Sequence, residues 1–495
     1  MRHYTAVEVH VTNRLVMPRD LPEELVTALK ATSEHSNPAY HKAKAMGFWS
    51  TEPKLLQTWA NDRGVLSLPR GRTNEVRAIL SEAGIDFEFV DDRERGKREW
   101  ANQFPSSCVE LWSHQQDIVD AIGNQDQGLV RAPTGSGKTT AAIAAIAASQ
   151  LPTIVLVWTS GLVDQWVERI HAELGIPTDD IGIIGGGKEK WAPITVSMQQ
   201  SLARSKPKLN KAKKLFGSLV CDEVQKFAAG TFLDVVDKFP AAMRIGFSAD
   251  ERRKDEKQQL IYDMFGRVMV DVDRKELEKK ELVLPVLVRV IPTEFDAPWY
   301  TQRRYDIDLD KPENPNFTQL LAELTTNNER NAMIMKLLDG GLARMPTLAL
   351  THRREHALLI RAKMTAAGRN CGLLVGSKEN AAEFASSVKG MRSGQLDLGV
   401  GTYQAIGQGL DIKPAAIAVC TTPIHANKQF FGQVRGRICR SSPGKTKAEL
   451  FYFWDKKVFG VEALHKLARY NDRKVVVLSD GQWIPVDTFI ERWRG

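Results

Sequence analysis

The sequence predicts two tandem, doubly wound α/β domains behind a smaller α+β domain. Three observations carry this. From residue 105 on, short apolar runs bounded by turn signals alternate with helical stretches, at 128–131, 153–158, 194–198, 219–221 and 244–247. A second set follows the charged stretch 271–281, at 286–291, 347–350, 371–375, 398–401, 416–420 and 450–453. Buried parallel strands look like this, because helices cover both faces and the polar–apolar alternation disappears. The first hundred residues instead mix short strands and helices. The expected organisation is an α+β domain at 1–104, α/β domains at 105–283 and 284–470, and a tail at 471–495.

Taken in order, residues 8–16 alternate like one strand, 21–32 and 74–83 read as helices, and 85–90 reads as a strand. The polar stretch 91–103 is the first boundary. Residues 141–148 are an Ala-rich helical stretch. In the tail, Ser479-Asp480-Gly481 between two apolar runs is a hairpin signal. Trp49, Trp59 and Trp100 are expected in the core.

The chain has 495 residues, 43% hydrophobic and 26% charged, an ordinary globular composition. That excludes a largely disordered chain, and no apolar run approaches a membrane span. The N-terminal segment has no signal-peptide core. A net charge of +8, from 68 basic and 60 acidic residues, permits a polyanionic partner without requiring one. The five cysteines form no CxxC pair, which argues against a zinc module or disulfide framework and for a reducing compartment. The expected location is cytoplasmic, at the nucleoid in a bacterial or phage setting, with no membrane partner.

The strongest chemical signal is Ala132-Pro133-Thr134-Gly135-Ser136-Gly137-Lys138-Thr139, after an apolar run and before a helix. A Gly-rich turn there aims backbone N–H groups and a helix N-terminus at phosphates. Lys138 would reach the β/γ-phosphates and Thr139 would hold Mg²⁺. Downstream, Asp222 and Glu223 end a short apolar strand. Asp222 suits Mg²⁺, which prefers hard oxygen ligands, and Glu223 suits polarising an attacking water. Third comes Gln433-Val434-Arg435-Gly436-Arg437-Ile438-Cys439-Arg440. Arg437 and Arg440, three apart, are expected on one helix face, and their forked donors suit a γ-phosphate.

These blocks, in this order, resemble superfamily 2 helicases over about residues 108–470. The resemblance implies two RecA-like domains that clamp ATP between them. It places Gln115 in the adenine-reading segment and makes Trp158-Thr159 with Gln165-Trp166 similar to motif Ia. Residues 194–202 resemble motif Ic, Gly246-Phe247-Ser248-Ala249 motif III, and 347–356 motif IV. The stretch from Gly401-Thr402 to Gly409-Leu410-Asp411 resembles motif V. By these positions Gln115, Thr134–Thr139, Gln225, Gly409, Asp411 and Gln433 would bind ATP, and Thr159, Ser197 and Thr402 would contact nucleic-acid phosphates. The basic run 206–214 would extend that track. Arg253-Lys254-Asp255, Glu329-Arg330-Asn331, Gln165-Trp166 and Leu68-Pro69-Arg70-Gly71 look like the XPB-like and phage UvsW-like branch, which acts on duplex or branched DNA.

Two positions depart from the family pattern: Gln225 stands for a His, and Asp250 for the Thr that closes motif III. The implied function is an ATP-dependent DNA helicase or translocase using ATP and Mg²⁺, with 1–104 selecting substrate. Two other readings stay open, an RNA-remodelling helicase and a non-motor ATP-binding subunit of a larger DNA-processing or defence complex.

Overall fold

Each apolar run expected as a parallel strand is one in the computed structural model, which describes residues 6–227, 230, 232–249, 256–302, 314–340, 342, 345–376, 380–407, 412–425 and 428–494. The chain divides into two units, Met1–Pro133 with Gly137–Arg274, and Thr134–Ser136 with Lys275–Gly495.

The first unit holds an eight-stranded sheet in the order Lys188–Lys190, Gly182–Gly185, Ile194–Met198, Thr153–Val157, Ser218–Cys221, Met243–Ser248, Gln127–Arg131, Val268–Asp271. All its pairings are parallel except that of the outermost Lys188–Lys190. Apolar clusters lie around Ile143, Trp166 and Ile245, and around Phe216, Phe227 and Phe265. The all-apolar strands need this double cover.

The same unit carries a five-stranded N-terminal sheet, in the order Ala60–Asp62, Val65–Pro69, Arg14–Val16, Val7–Val11, Phe87–Asp91. The single strand expected at 8–16 is two, Val7–Val11 and Arg14–Val16, paired antiparallel. A turn at Thr12-Asn13 breaks it. Helices Glu23–Ala31 and Thr73–Glu82 cover one face, over a core of Val9, Leu29, Leu68 and Val76.

The seam between these two sheets is charged and buried. Arg70, 1% exposed, donates to the carbonyls of Ala241 (2.7 Å), Thr12 (3.2 Å) and Ala242 (3.3 Å) and to the Gln127 side chain. The fully buried Asp263 carboxylate accepts from Thr58 Oγ1 at 2.6 Å and Arg72 Nε at 2.6 Å, and lies 2.9 Å from His35 Nε2. Gly71 permits the approach: a Cβ there would sit 2.1 Å from the Tyr262 carbonyl oxygen. A buried charge is tolerable only when paired like this.

The second unit holds another eight-stranded sheet: Cys371–Leu374, Leu398–Thr402, Thr347–Thr351, Ile417–Cys420, Ala448–Asp455, Val286–Thr293, Val475–Ser479, Gln482–Pro485. Only the terminal hairpin is antiparallel. Its turn is Asp480-Gly481, with φ of 51° and 78°, the left-handed pair a two-residue hairpin needs. Both units therefore have the RecA-like α/β architecture.

Of the tryptophans expected in the core, Trp59 and Trp100 pack partly buried against it. Trp49 does not: it is 86% exposed, on a short helix–loop segment with no apolar layer above it.

Candidate functional site

The strand order positions the chemistry. Met243–Ser248 lies between Gln127–Arg131 and Ser218–Cys221, and the three run parallel. Their carboxyl ends therefore deliver the loop after residue 131, Asp222-Glu223 and Ser248 to one edge, where open α/β sheets bind ligands. The Ala132 N–H donates to the Ser248 carbonyl at 2.9 Å, fixing that edge.

In the loop, Gly135 and Gly137 have φ of 97° and 78°. Gly137 caps helix Lys138–Ser149, and a Cβ on it would meet Gln115 Nε2 at 2.1 Å. Thr134, Gly135 and Ser136 occupy the strand-to-helix turn and Thr139 the first turn of the helix, the arrangement that suits an anion. Gln115 braces the loop: its amide donates to the Gly137 carbonyl at 3.4 Å, and its Oε1 accepts from the Trp112 N–H at 2.9 Å. Lys138 Nζ donates to the Ala132 carbonyl at 2.9 Å and sits 3.7 Å from Glu223 Oε1.

Asp222 is 6% exposed, and its backbone N–H donates to the Leu156 carbonyl at 3.0 Å. Burial, then the adjacent Glu223 carboxylate, push its carboxyl up from the usual carboxylate range, against the pull of Lys138. Trp166 Nε1 holds it, donating to Oδ2 at 3.0 Å. Two neighbouring carboxylates whose repulsion shows in this way are a fitting donor set for a divalent cation. Glu223 takes left-handed backbone, φ 52°. The Gln225 amide donates to Glu223 Oε2, and Ser248 Oγ donates to Gln225 Oε1 at 2.7 Å. A continuous chain thus runs Lys138, Glu223, Gln225, Ser248. The amide serves two partners at once, an acceptor and a donor, which a single protonation state of His also allows only with the right tautomer.

In the second unit, helix Lys428–Ile438 carries Gln433 and Arg437. Arg440 corrects the expectation of a shared helix face: the helix ends at Ile438, and Arg440 lies beyond it, in an isolated bridge with Val283. The chain leaves the helix to pair, with the Leu284 N–H donating to the Cys439 carbonyl at 2.7 Å. Lys445 Nζ pins the Arg440 carbonyl at 2.8 Å. Arg435 is used structurally, donating to the Tyr470 carbonyl at 2.9 Å. Gly409 and Asp411 lie outside the described residues, as do Asp250 and Arg253-Lys254-Asp255.

The expected phosphate contacts differ in accessibility. Thr159 caps helix Ser160–Leu174, its hydroxyl accepting from the Leu162 N–H at 3.4 Å. Thr402 ends strand Leu398–Thr402 and is 9% exposed. Ser197 is fully buried, and its hydroxyl donates to the Ile184 carbonyl at 3.3 Å and the Met198 carbonyl at 3.2 Å. It faces the sheet, so the expectation of a phosphate contact through that hydroxyl is corrected. The basic run is helix Lys206–Leu215, with Lys208 3.0 Å from Glu189 and Lys211 over Trp191.

Residues 108–252 match the family described as Type III restriction enzyme, res subunit. A DNA 3'-5' translocase XPB2 of Sulfurisphaera tokodaii is 31% identical over 227 residues, 45% of this chain and 48% of the relative. A DNA 3'-5' helicase XPB of Mycobacterium tuberculosis is 23% identical over 343 residues, 67% of this chain and 58% of the relative. Over these stretches the chain is similar to relatives named as XPB enzymes. The chain spans less than half the length of the first relatives it matches, 48% of one and 31% of the next. Saccharomyces cerevisiae Dbp5, solved bound to RNA and ADP BeF3, shares the fold, with a TM-score of 0.52, 15% identity and coverage of 79% of this chain and 93% of that one.

Two residues of the site, and one in the N-terminal seam, have roles that the sequence alone does not show. Trp166 was a family mark and is the hydrogen-bond donor to Asp222. Ser248 was a motif position and is the partner of Gln225. Asp263 had no motif at all, and only the fold shows that it gathers three N-terminal groups.

Proposed function

We propose that this chain is an ATP-dependent DNA helicase or translocase acting on duplex or branched DNA. The observation that carries the reading is the continuous arrangement of Lys138, Glu223, Gln225 and Ser248 beside the buried Asp222. ATP would seat its phosphates on the loop 134–139, with Lys138 against the β/γ-phosphates. Gln115, Gln225, Gln433, Gly409 and Asp411 belong to the same nucleotide-binding assignment. Thr139 and Asp222 would hold Mg²⁺, which neutralises phosphate charge. Glu223 would orient a water and take its proton as the γ-phosphorus–oxygen bond to ADP breaks. Gln225 keeps the Glu223 carboxylate turned to that task. Arg437 and Arg440 are assigned to the charge that develops on the γ-phosphoryl, where such arginines act.

The DNA assignment rests on relatives named as DNA 3'-5' enzymes and on a basic chain. In this reading residues 1–104 are the substrate-recognition part, and Thr159 and Thr402 touch backbone phosphates, which positions a strand without reading its sequence. The test is ATP turnover with single-stranded, duplex and forked DNA and with RNA. Stimulation by DNA, strongest with duplex or forked ligands, supports the reading. Stimulation by RNA alone moves the chain to the RNA-remodelling class.

A further inference from the structure

Residues 34–57 form a projection that no motif explains. Strands Glu34–Ser36 and Leu55–Gln57 pair antiparallel as a stalk. Both sides of the stalk are rooted on one carboxylate: His35 and Thr58 meet the buried Asp263 at 2.9 and 2.6 Å. At its top, the fully buried Asn37 closes the loop. Its side chain accepts from the Ala39 N–H at 3.2 Å and donates to the Pro53 carbonyl at 2.8 Å. Helix Pro38–Ala45 follows, and none of its residues is buried.

The helix runs into a tip where Met46 is 58% exposed, Phe48 66% and Trp49 86%. Three large apolar side chains presented together to water, two of them aromatic, mark an interaction site more than scattered single ones do. The surroundings are cationic. Lys42 and Lys44 are exposed on the helix, and Lys54 is exposed just before the returning strand. Lys44 Nζ lies 5.5 Å from the Trp49 ring centre, on one face of the indole. Glu52 is the single carboxylate between residues 37 and 54, and Asn37 and Lys257 both engage it. Aromatic faces among lysines are complementary to an unpaired nucleotide, with its flat base and anionic backbone. A membrane interface or an acidic peptide would also take aromatic and basic side chains, but neither predicts a preference for a strand with bases over an abasic one.

We infer that the projection is a base-stacking site, on which an unpaired nucleotide of the bound strand lies against Trp49 and Phe48 while Lys42 and Lys44 meet its phosphates. This deepens the DNA reading above and rests on it. The stalk ties that contact to Asp263, on helix Gln259–Phe265 of the unit that also carries Lys138 and Glu223.

The test uses the full chain and fluorescence anisotropy without nucleotide. The probes are an oligothymidylate, an abasic strand of the same length, and a blunt duplex. Wild type should bind the thymidylate more tightly than the abasic strand. Trp49→Ala should remove that difference, weakening thymidylate binding by about fivefold to a hundredfold, the worth of one stacked base. It should leave abasic and blunt-duplex binding unchanged. Trp49→Phe should restore most of the loss. The pair Lys42→Ala and Lys44→Ala should weaken both single strands and flatten the salt dependence by about 0.7 per lysine. Thermal unfolding of each variant at the wild-type temperature confirms that the fold is kept.

Equal loss on thymidylate and abasic strands, or no loss at all, overturns the inference. So does a concentration-dependent dimer that Trp49→Ala dissolves, which would assign the tip to a second copy. If wild type binds no polymer and none stimulates hydrolysis, the DNA reading fails together with it. If wild type binds and is stimulated while Trp49→Ala is silent, only the stacking site fails.

Discussion

Ser248 Oγ donates a 2.7 Å hydrogen bond to Gln225 Oε1, and the other end of that amide donates to Glu223. The strand ending in Ser248 thereby holds the carboxylate proposed to activate water. A side chain that accepts at one end and donates at the other does this in one fixed orientation, so the Gln in place of the family's His keeps a connection here.

Gln225→Leu preserves the volume and removes both bonds. ATP binding should stay within about threefold, and turnover should fall about tenfold or more. Ser248→Ala should have a milder effect in the same direction and cost about 1 kcal/mol of stability, one lost hydrogen bond. Steady-state kinetics with nucleotide titration separate the two parameters. Unchanged turnover in both variants would remove Gln225 from the site.

Trp166→Phe keeps the apolar bulk and deletes the donor to Asp222. The carboxylate then loses the bond that orients it, and partners of this kind are worth about 10–100-fold in metal affinity or activity. The concentration of Mg²⁺ giving half-maximal turnover should rise accordingly. An unshifted Mg²⁺ titration would show that Asp222 does not depend on the indole.

The buried seam makes the N-terminal sheet part of the first unit's stability. Arg70→Ala leaves the carbonyls of Ala241, Ala242 and Thr12 without that donor. It should destabilise by roughly 3 kcal/mol or more, read as a shifted urea midpoint. Deleting residues 1–104 strips the cover from Asp263 as well, and the product should aggregate. A soluble truncation with wild-type stability would mean the seam contributes little.

The second unit should weaken in acid. Burial lowers His352 to about 4, and burial with the nearby Arg330 lowers His356 to about 3. His356 is neutral between Thr351 Oγ1 at 3.0 Å and Asn331 Oδ1 at 2.9 Å. With folded values below the ordinary 6.5, the unfolded chain takes up protons first. The contribution is fully present above pH 6.5 and is lost as pH falls toward 4 and then 3. By pH 5 the loss amounts to on the order of 2 kcal/mol per histidine. Urea midpoints at pH 7.5 and 5 should show the drop, and His356→Gln should flatten it.

The sheets were legible because parallel strands buried on both faces leave continuous apolar runs. The loop at 132–139 was legible because its glycines and helix start are local. What stayed hidden depends on distant pairing. Asp263 lies in an unremarkable helical segment, and its importance comes from His35, Thr58 and Arg72, far away in the chain. Ser197 sits at a motif position, yet the pleat turns its hydroxyl into the sheet. Trp49 looked like core by residue type alone, since only the fold shows that nothing packs over it. The break at Thr12-Asn13 was missed because the polar alternation continues through the turn.

The most direct measurement is ATP turnover in the wild type and Lys138→Ala, each with no polymer, single-stranded DNA, duplex DNA, forked DNA and RNA. Wild-type turnover should rise with DNA, most with duplex or forked ligands, while Lys138→Ala stays folded and inactive under every condition. Turnover that no polymer changes, or that survives the loss of Lys138, would contradict a nucleic-acid-driven ATPase at this site.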